Sequence, residues 1–478
     1  MIDGLEISEV YFSKIKHDQN ERLDSHYYEK KYILLKRKLL AKPYWLLGDI
    51  VLKPIQTGHT PLMSNPLFYG GEIAFIKTDN LRVNYITTNF NNYLSSEGNQ
   101  EISRTELQEK DIITTIIGAT EDVIARTALV LPEHLPANIN QNIVQIRVDE
   151  TFAFSEYVNA YLNSRYGRDY LRYLSRQTEQ VNLNCQEVSS VIVPKLSTEF
   201  QDVIRNCVSK AYQLQRGSNE TYLESEKILE ESLCIKQSSN DSVSIKTLSE
   251  SFNISGRLDA EYYQPKYDEL FAMLSKHKSK NLGGKNGLVN IKKSIEPGSE
   301  SYKDEGIPFV RVSDIDKFEI TSPEIKLPQD IVPNIENLYP KKDTILLSKD
   351  GSVGIAHKVQ EALEVVTSGA LLHLTVKDTK EILPDYLTLV LNSSIVQLQA
   401  ERDCNGAIIQ HWKPADIEKV IIPILDMEKQ IEIADKVQES FRLRKKSKKL
   451  LDIAVRAVEM AIETDEETAI AWMKEQGV

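Results

Sequence analysis

Cysteine is scarce in this 478-residue sequence: Cys185, Cys207, Cys234 and Cys404 stand alone, without a Cys-x-x-Cys pair or a histidine at metal-ligand spacing. That rules out a disulfide framework or zinc module and reads as isolated thiols of a reducing compartment. Long hydrophobic runs are missing too, since no stretch approaches the roughly 18 apolar residues of a spanning helix. No membrane partner is expected. The opening residues Met1 to Ile7 are acidic and mixed, unlike a secretory signal, so the expected location is cytoplasmic.

Catalytic signatures are also absent. The sequence has no phosphate-binding G-x-x-x-x-G-K-[ST] loop, no H-E-x-x-H and no G-x-S-x-G elbow. It lacks the Asn/Asp-Pro-Pro-Tyr/Phe tetrapeptide with which amino-methyltransferases hold a flipped base. Gly283 to Gly287 reads as a linker, having no clear strand before it or helix after it. Asp316 with Glu324 and Lys326 matches a metal-nuclease triple only in outline, in a chain that is 27% charged. The eight histidines are scattered, and no catalytic residue, metal or cofactor is expected in this chain.

The net charge of −12 argues against a coat of non-specific nucleic-acid affinity, which needs phosphates neutralised by Lys and Arg. It leaves open a reader with local basic patches, and equally a coiled-coil scaffold that binds no DNA.

What is present is a duplication. Arg22-Leu23-Asp24-Ser25-His26-Tyr27-Tyr28 returns as Arg257-Leu258-Asp259-Ala260-Glu261-Tyr262-Tyr263, at an offset of 235. Phe75-Ile76-Lys77-Thr78 returns as Phe309-Val310-Arg311-Val312 at 234, and Lys110-Asp111 as Lys342-Asp343 at 232. Tyr157, Leu162, Asn163 and Ser164 match Tyr386, Leu391, Asn392 and Ser393 at 229, as Val191 to Pro194 matches Val420 to Pro423. Gln201, Ile204, Val208, Tyr212 and Leu214 keep that offset to Gln430, Ile433, Val437, Phe441 and Leu443. Six ordered blocks at a period of half the chain mean one duplication rather than a solenoid.

Each half predicts a short helix (24–40; 259–276), then short apolar strands at 73–76, 112–117, 143–148, 345–347 and 371–376. A Tyr- and Leu-rich helix follows (154–174; 384–401), and then a Val/Ile-Pro element. Long helices are predicted at 198–233 and 428–463. In the first, Phe200, Ile204, Cys207, Ala211 and Leu214 step by four, three, four and three; in the second, Leu451, Val455, Val458 and Ile462 do likewise. Such seams suit helix pairing, here antiparallel, and some 35 residues make a rod of roughly 50 Å. Gly217-Ser218-Asn219 predicts an interruption of the first helix, a bend or a frayed turn. The basic run from Arg442 to Lys449 is expected to face Glu220, Glu224, Glu226, Glu230 and Glu231, and residues 463–478 to form a short amphipathic helix.

Together these features resemble the specificity subunit of Type I restriction-modification systems. Asp343 to Gly354 is similar to that family's G-D-[IL]-L-[IVL]-S-x-x-G-x-[VI]-G stretch, and Gly58-His59-Thr60-Pro61 to its early Thr-Pro segment. Asn140-Gln141-Asn142-Ile143 resembles its strand entrance, and Val420 to Pro423 with Glu428 to Ile431 its junction into a helix. The first half departs at Asp111 to Gly118, which lacks the Ser-x-x-Gly form, so different local contacts are expected there. The second has Glu296-Pro297-Gly298-Ser299 where the first has Gly58 to Pro61, as expected if the halves read different sequences.

The resemblance implies an α+β, internally duplicated fold: two globular target-recognition domains separated by two long antiparallel paired helices. The segments would be 1–197 (N-terminal recognition domain with leading helix) and 198–245 (central long helix and linker). Then come 246–427 (C-terminal recognition domain with leading helix) and 428–478 (long helix and tail). It also implies a non-catalytic subunit on double-stranded DNA, reading a bipartite target. Two methyltransferase subunits, carrying S-adenosylmethionine, and a motor-nuclease subunit would be its partners. A pseudo-two-fold reader suits two copies of one partner.

Base readout needs polar side chains at base edges, and phosphate contact needs positive or N–H donors. In loops beside the repeated strands, the candidates in the first half are His59, Thr60, Lys77, Asn80, Arg82, Arg126, Arg176 and Gln177. In the second they are Arg311, Ser313, Lys349, Ser352, His357, Asn405 and Gln410.

Overall fold

The computed structural model describes residues 10–11, 13, 22–87, 90, 92–118, 123–176, 181–235, 244–321, 323, 325–331, 333–404 and 410–478. The chain divides into two compact units, Met1–Leu214 with Lys445–Val478, and Gln215–Arg444. Each unit therefore takes a part of both long helices. Among the described residues no helix is long and apolar enough to cross a membrane.

In the first unit a four-stranded antiparallel sheet runs Gln56–Thr57, Ile143–Ile146, Ile112–Thr115, Thr127–Leu129. In the second unit the same order is Val289–Lys293, Leu371–Val376, Ile345–Ser348, Ala356–Lys358. Each unit adds a three-stranded sheet with one parallel and one antiparallel pairing. Tyr69–Ile76 lies between Ala137–Ile139 and Tyr93–Leu94, and Ile307–Val310 between Val366–Thr367 and Lys326–Leu327. Finally Tyr44–Leu46 pairs with Ile192–Pro194, as Ser279–Asn281 does with Ile421–Pro423. The internal duplication is thus a repeat of strand order and pairing sense.

The repeated side chains are the anchors of this plan. Tyr157 and Tyr386, both fully buried, donate their hydroxyls to the carbonyls of Pro194 and Pro423 at 2.6 and 2.9 Å. Gln201 accepts from Phe154 N at 3.0 Å and donates to Leu196 O at 3.0 Å; Gln430 accepts from Leu383 N at 3.0 Å and donates to Leu425 O at 2.9 Å. Arg22 and Arg257 each pair with the aspartate two residues on, at 2.8 Å, and accept a tyrosine hydroxyl (Tyr28, Tyr263) on their own carbonyl.

The strand registers revise one correspondence. Ile112 pairs with Leu129 where Ile345 pairs with Lys358, so Lys110 corresponds to Asp343 at an offset of 233. Both occupy the left-handed region, at φ 68° and 64°, and donate N–H to Val130 O and Val359 O at 2.9 Å.

The Tyr- and Leu-rich helix is in each half two helices, Ser155–Asn163 with Arg165–Leu174 and Pro384–Asn392 with Ser394–Asp403. Ser164 caps the second of the first pair, its side chain accepting from Gly167 N, and such a cap restarts a helix at a new angle.

The long helices span Thr198–Leu233 and Met427–Glu463. They are antiparallel: Ser218 lies against Ser440 at 3.0 Å in the second unit, and Cys207 Sγ against Leu450 O at 3.3 Å in the first. The first helix runs unbroken through Gly217 to Asn219. These small residues face the partner helix, with Ser218 and Ser440 fully buried and Leu443 against Gly217. Close approach of two backbones is what the small side chains serve. Arg444 donates to Asn219 at 2.6 Å, which sets the expected glutamates past the basic run. Glu224 instead pairs with Lys436 at 2.6 Å, and Arg442 with Glu439 on its own helix. Glu466–Glu475 forms the tail helix, capped by Asp465, with Ala469 and Met473 in the core of the first unit.

Candidate nucleic-acid interface

Three strand ends meet in each unit through one relay of backbone hydrogen bonds. In the second unit Ser368 N donates to Val310 O (2.8 Å), Lys349 N to Ala370 O (2.9 Å) and Trp412 N to Lys349 O (2.8 Å). In the first, Asn140 N donates to Ile76 O (3.2 Å), Ile116 N to Asn142 O (2.9 Å) and Leu183 N to Ile116 O (2.8 Å). The relay gives each half one loop-built edge at the same place in its fold.

The second edge gathers Arg311, Ser313, Lys349, Ser352 and Gln410. Its central loop is the segment Asp343 to Gly354. Ser348 Oγ donates to Ser352 O at 2.6 Å and accepts from Ile355 N at 2.8 Å, stapling the turn between two strands. Gly354 stands at φ 86°, which an L side chain rarely adopts. Gly351 N donates to Gln410 O at 2.9 Å, holding the chain of Gln410 and His411 beside the loop. Asp350 accepts from Lys349 and from His411 Nδ1 (2.9 Å); despite its part-burial, these partners hold its carboxyl below the usual range. Ser352 and Gln410 are exposed.

The first half has no Ser-x-x-Gly, yet the staple survives. Thr115 Oγ1 donates to Val123 O and accepts from Arg126 N at 3.0 Å, the roles of Ser348. The first edge gathers His59, Thr60, Lys77, Arg126 and Arg176. Gly58 donates to Ile143 O at 3.1 Å, and a Cβ there would stand 2.0 Å from Ile139 O, so glycine alone admits the following loop. His59 is exposed, and Thr60 bonds to Gln141. Arg176 pairs with Glu187 at 3.0 Å yet keeps over half its side chain exposed.

Some candidates serve the fold. Asn80 is buried and accepts from Lys77 N at 3.0 Å, closing a tight turn, as Asp314 does for Arg311 N at 2.8 Å. Arg82 donates to Asp79 O at 2.7 Å on its own hairpin. His357 is buried in its strand 6.4 Å from the Phe441 ring, and burial lowers its pKa, so it is withdrawn from the edge. Lys349 is mostly buried, with its ammonium against Asp350. Gln177 and Asn405 lie outside the described residues, as does Glu324 of the nuclease-like triple. Asp316 of that triple caps a turn, accepting from Phe318 N at 2.6 Å and Glu319 N at 2.8 Å. Gln141 and His411 are not among the sequence candidates; Gln141 belongs to the Asn140 to Ile143 motif, and His411 adjoins Gln410.

Fold and edges together define a duplicated α+β protein with matching loop-built surfaces and, among the described residues, no group of His, Cys, Asp or Glu able to hold a metal. Residues 278–452 match the family model described as the Type I restriction modification DNA specificity domain. The match falls in the second half of the chain, and the first half repeats that half's strand order, anchors and relay. Among solved structures, the chain is similar to the HsdS subunit from Thermoanaerobacter tengcongensis (17% identity, 88% of this chain and 97% of that one, TM-score 0.30). It is also similar to the Type-I restriction-modification system S subunit from M. genitalium (12% identity, 89% and 95%, TM-score 0.32).

Proposed function

We propose that this chain is the DNA-reading specificity subunit of a Type I restriction-modification complex, each half reading one part of a bipartite target. The observation that carries this is the specificity domain at residues 278–452, repeated in strand order and backbone relay by the first half. The edges supply the mixed donors and acceptors that base and phosphate contacts require. They differ between the halves where target choice would reside: His59, Thr60 and Gln141 in one, Ser352, Gln410 and His411 in the other. On this reading the chain contributes no catalytic group. It positions two adenine methyltransferase subunits, which hold S-adenosylmethionine, and a motor-nuclease subunit joins them for cleavage, all in the cytoplasm with the chromosome.

Single-molecule sequencing of methylated adenine in the host genome, with this gene intact and deleted, tests the reading. One split motif, two short specific parts around an unspecified gap, should vanish on deletion. An unchanged map with the methyltransferase genes expressed would sink it.

A further inference from the structure

The two halves share a helical layer but not its charge. In the first unit Lys30–Leu40 packs on Arg165–Leu174 through Tyr32 against Tyr173 (5.7 Å) and through Lys38 Nζ on Tyr166 OH (2.8 Å), with Tyr27 of the preceding turn stacked on Tyr173 (4.4 Å). Residues 30–42 carry six Lys or Arg and no acid, and residues 165–174 three arginines against Asp169. The equivalent layer, 265–277 with 394–403, carries three basic and four acidic residues. Since both layers pack, packing does not require the basic charge. Lys30, Arg37, Lys38 and Arg165 are exposed.

This layer is continuous with the first edge. Arg22 donates to Leu174 O (2.5 Å) and Ser175 O (2.8 Å), tying the chain that leads into Lys30–Leu40 to the end of Arg165–Leu174. Arg176 of the edge is the next residue. Eleven helical residues span about 16 Å, the reach of a few backbone phosphates.

We propose that this basic layer is a sequence-independent phosphate-binding strip for duplex DNA, extending the first edge and lacking in the second half. It rests on the DNA-reading function above. A chain of net charge −12 that places nine basic residues against one acid in these two segments has built a local anion surface. Five of the nine are exposed, and among the described residues only Lys31 and Arg165 of those five pair with acids outside the layer, Glu29 and Glu463. The polyanion that a DNA reader meets there is the backbone flanking its target.

The test uses the full chain in its reconstituted methyltransferase complex, on a duplex carrying the mapped motif and on a scrambled duplex. The double variant Lys30→Ala, Arg37→Ala should weaken both complexes by the same factor, with the slope of log affinity against log salt falling by about two. Lys30→Arg, Arg37→Lys should keep the parental slope, as should Lys276→Ala in the second half. An unchanged slope with an intact complex overturns the strip. Loss of methyltransferase binding at an unchanged DNA slope overturns it in favour of a protein-docking face. If the unaltered complex fails to prefer its motif, the DNA-reading function itself falls, and the strip with it.

Discussion

At the corner where the third strand enters the sheet, the two halves carry opposite charges on one backbone. The first half places Lys110 at the left-handed turn, within 3.0 Å of Glu150 and 3.6 Å of Glu156, with apolar Leu129 on the neighbouring strand. The second places Asp343 at that turn and Lys358 where Leu129 stood, 3.1 Å from both Asp343 and buried Asp385. Asp385 is the counterpart of Glu156, whose pKa burial raises. Duplication therefore preserved the turn, its φ and its N–H donor, while the charges changed together. A fold constrains backbone and buried partners as sets, and an ion pair persists only as a complement.

The largest break in this comparison should come at Lys358. Lys358→Ala leaves Asp385 charged, buried and without its cation, which should cost about 3–5 kcal/mol in the second unit. Joint replacement, Lys358→Met with Asp385→Asn, removes both charges, and it should recover most of that loss. Urea unfolding read by hydrogen exchange in each unit separates the local effect from the global one. A single variant as stable as the parent would show that solvent already satisfies Asp385.

The glutamine anchors sharpen the opposite side of the comparison, the part that did not change. Gln201 and Gln430 are each buried and bridge a helix N–H to a loop carbonyl. Alanine at 201 leaves two backbone groups without their partner and at 430 three, since Gln430 also donates to Glu381 O at 3.1 Å. Each loss should be about 2–4 kcal/mol, and the two should agree within about 1 kcal/mol. Unequal losses, by the same exchange measurement, would mean that the halves lean on this anchor differently.

How much of this was legible follows the same division. Gln201 and Gln430, Tyr157 and Tyr386, and the Arg-Leu-Asp blocks showed in the sequence because buried groups with exacting partners change little. The paired helices showed through their seams for the same reason. The one-residue slip between Lys110 and Lys342 did not, because only strand register distinguishes Asp343 from its neighbour. The interruption expected at Gly217 is absent from the helix because glycine and serine lower helix propensity and also permit close helix contact, and the partner helix decides which matters. The edges were half legible. Several loop residues beside repeated strands, His59, Ser352 and Gln410 among them, are exposed, but Asn80 and His357 turned inward, and burial depends on contacts distant in sequence.

The smallest effect separates the two Arg-Leu-Asp blocks, which read alike. Arg22 is buried, and besides Asp24 it donates to the carbonyls of Leu174 and Ser175, across to the helix that bears its neighbour tyrosine's stack. Arg257 is half-buried, with its pair to Asp259 partly in solvent. Hydrogen bonds from a charged donor are worth about 1.5–3 kcal/mol when buried, whereas an exposed ion pair gives at most about 1 kcal/mol. Arg22→Ala should therefore destabilise the first unit by about 2–3 kcal/mol, and Arg257→Ala the second by less than about 1 kcal/mol. Lysine at position 22 should not rescue, because one ammonium cannot reproduce the guanidinium fork that meets Asp24 and two carbonyls together. Equal losses in the two halves would mean that the motif's worth lies in the Arg-Asp pair itself, and that its contacts to residues 174 and 175 add nothing.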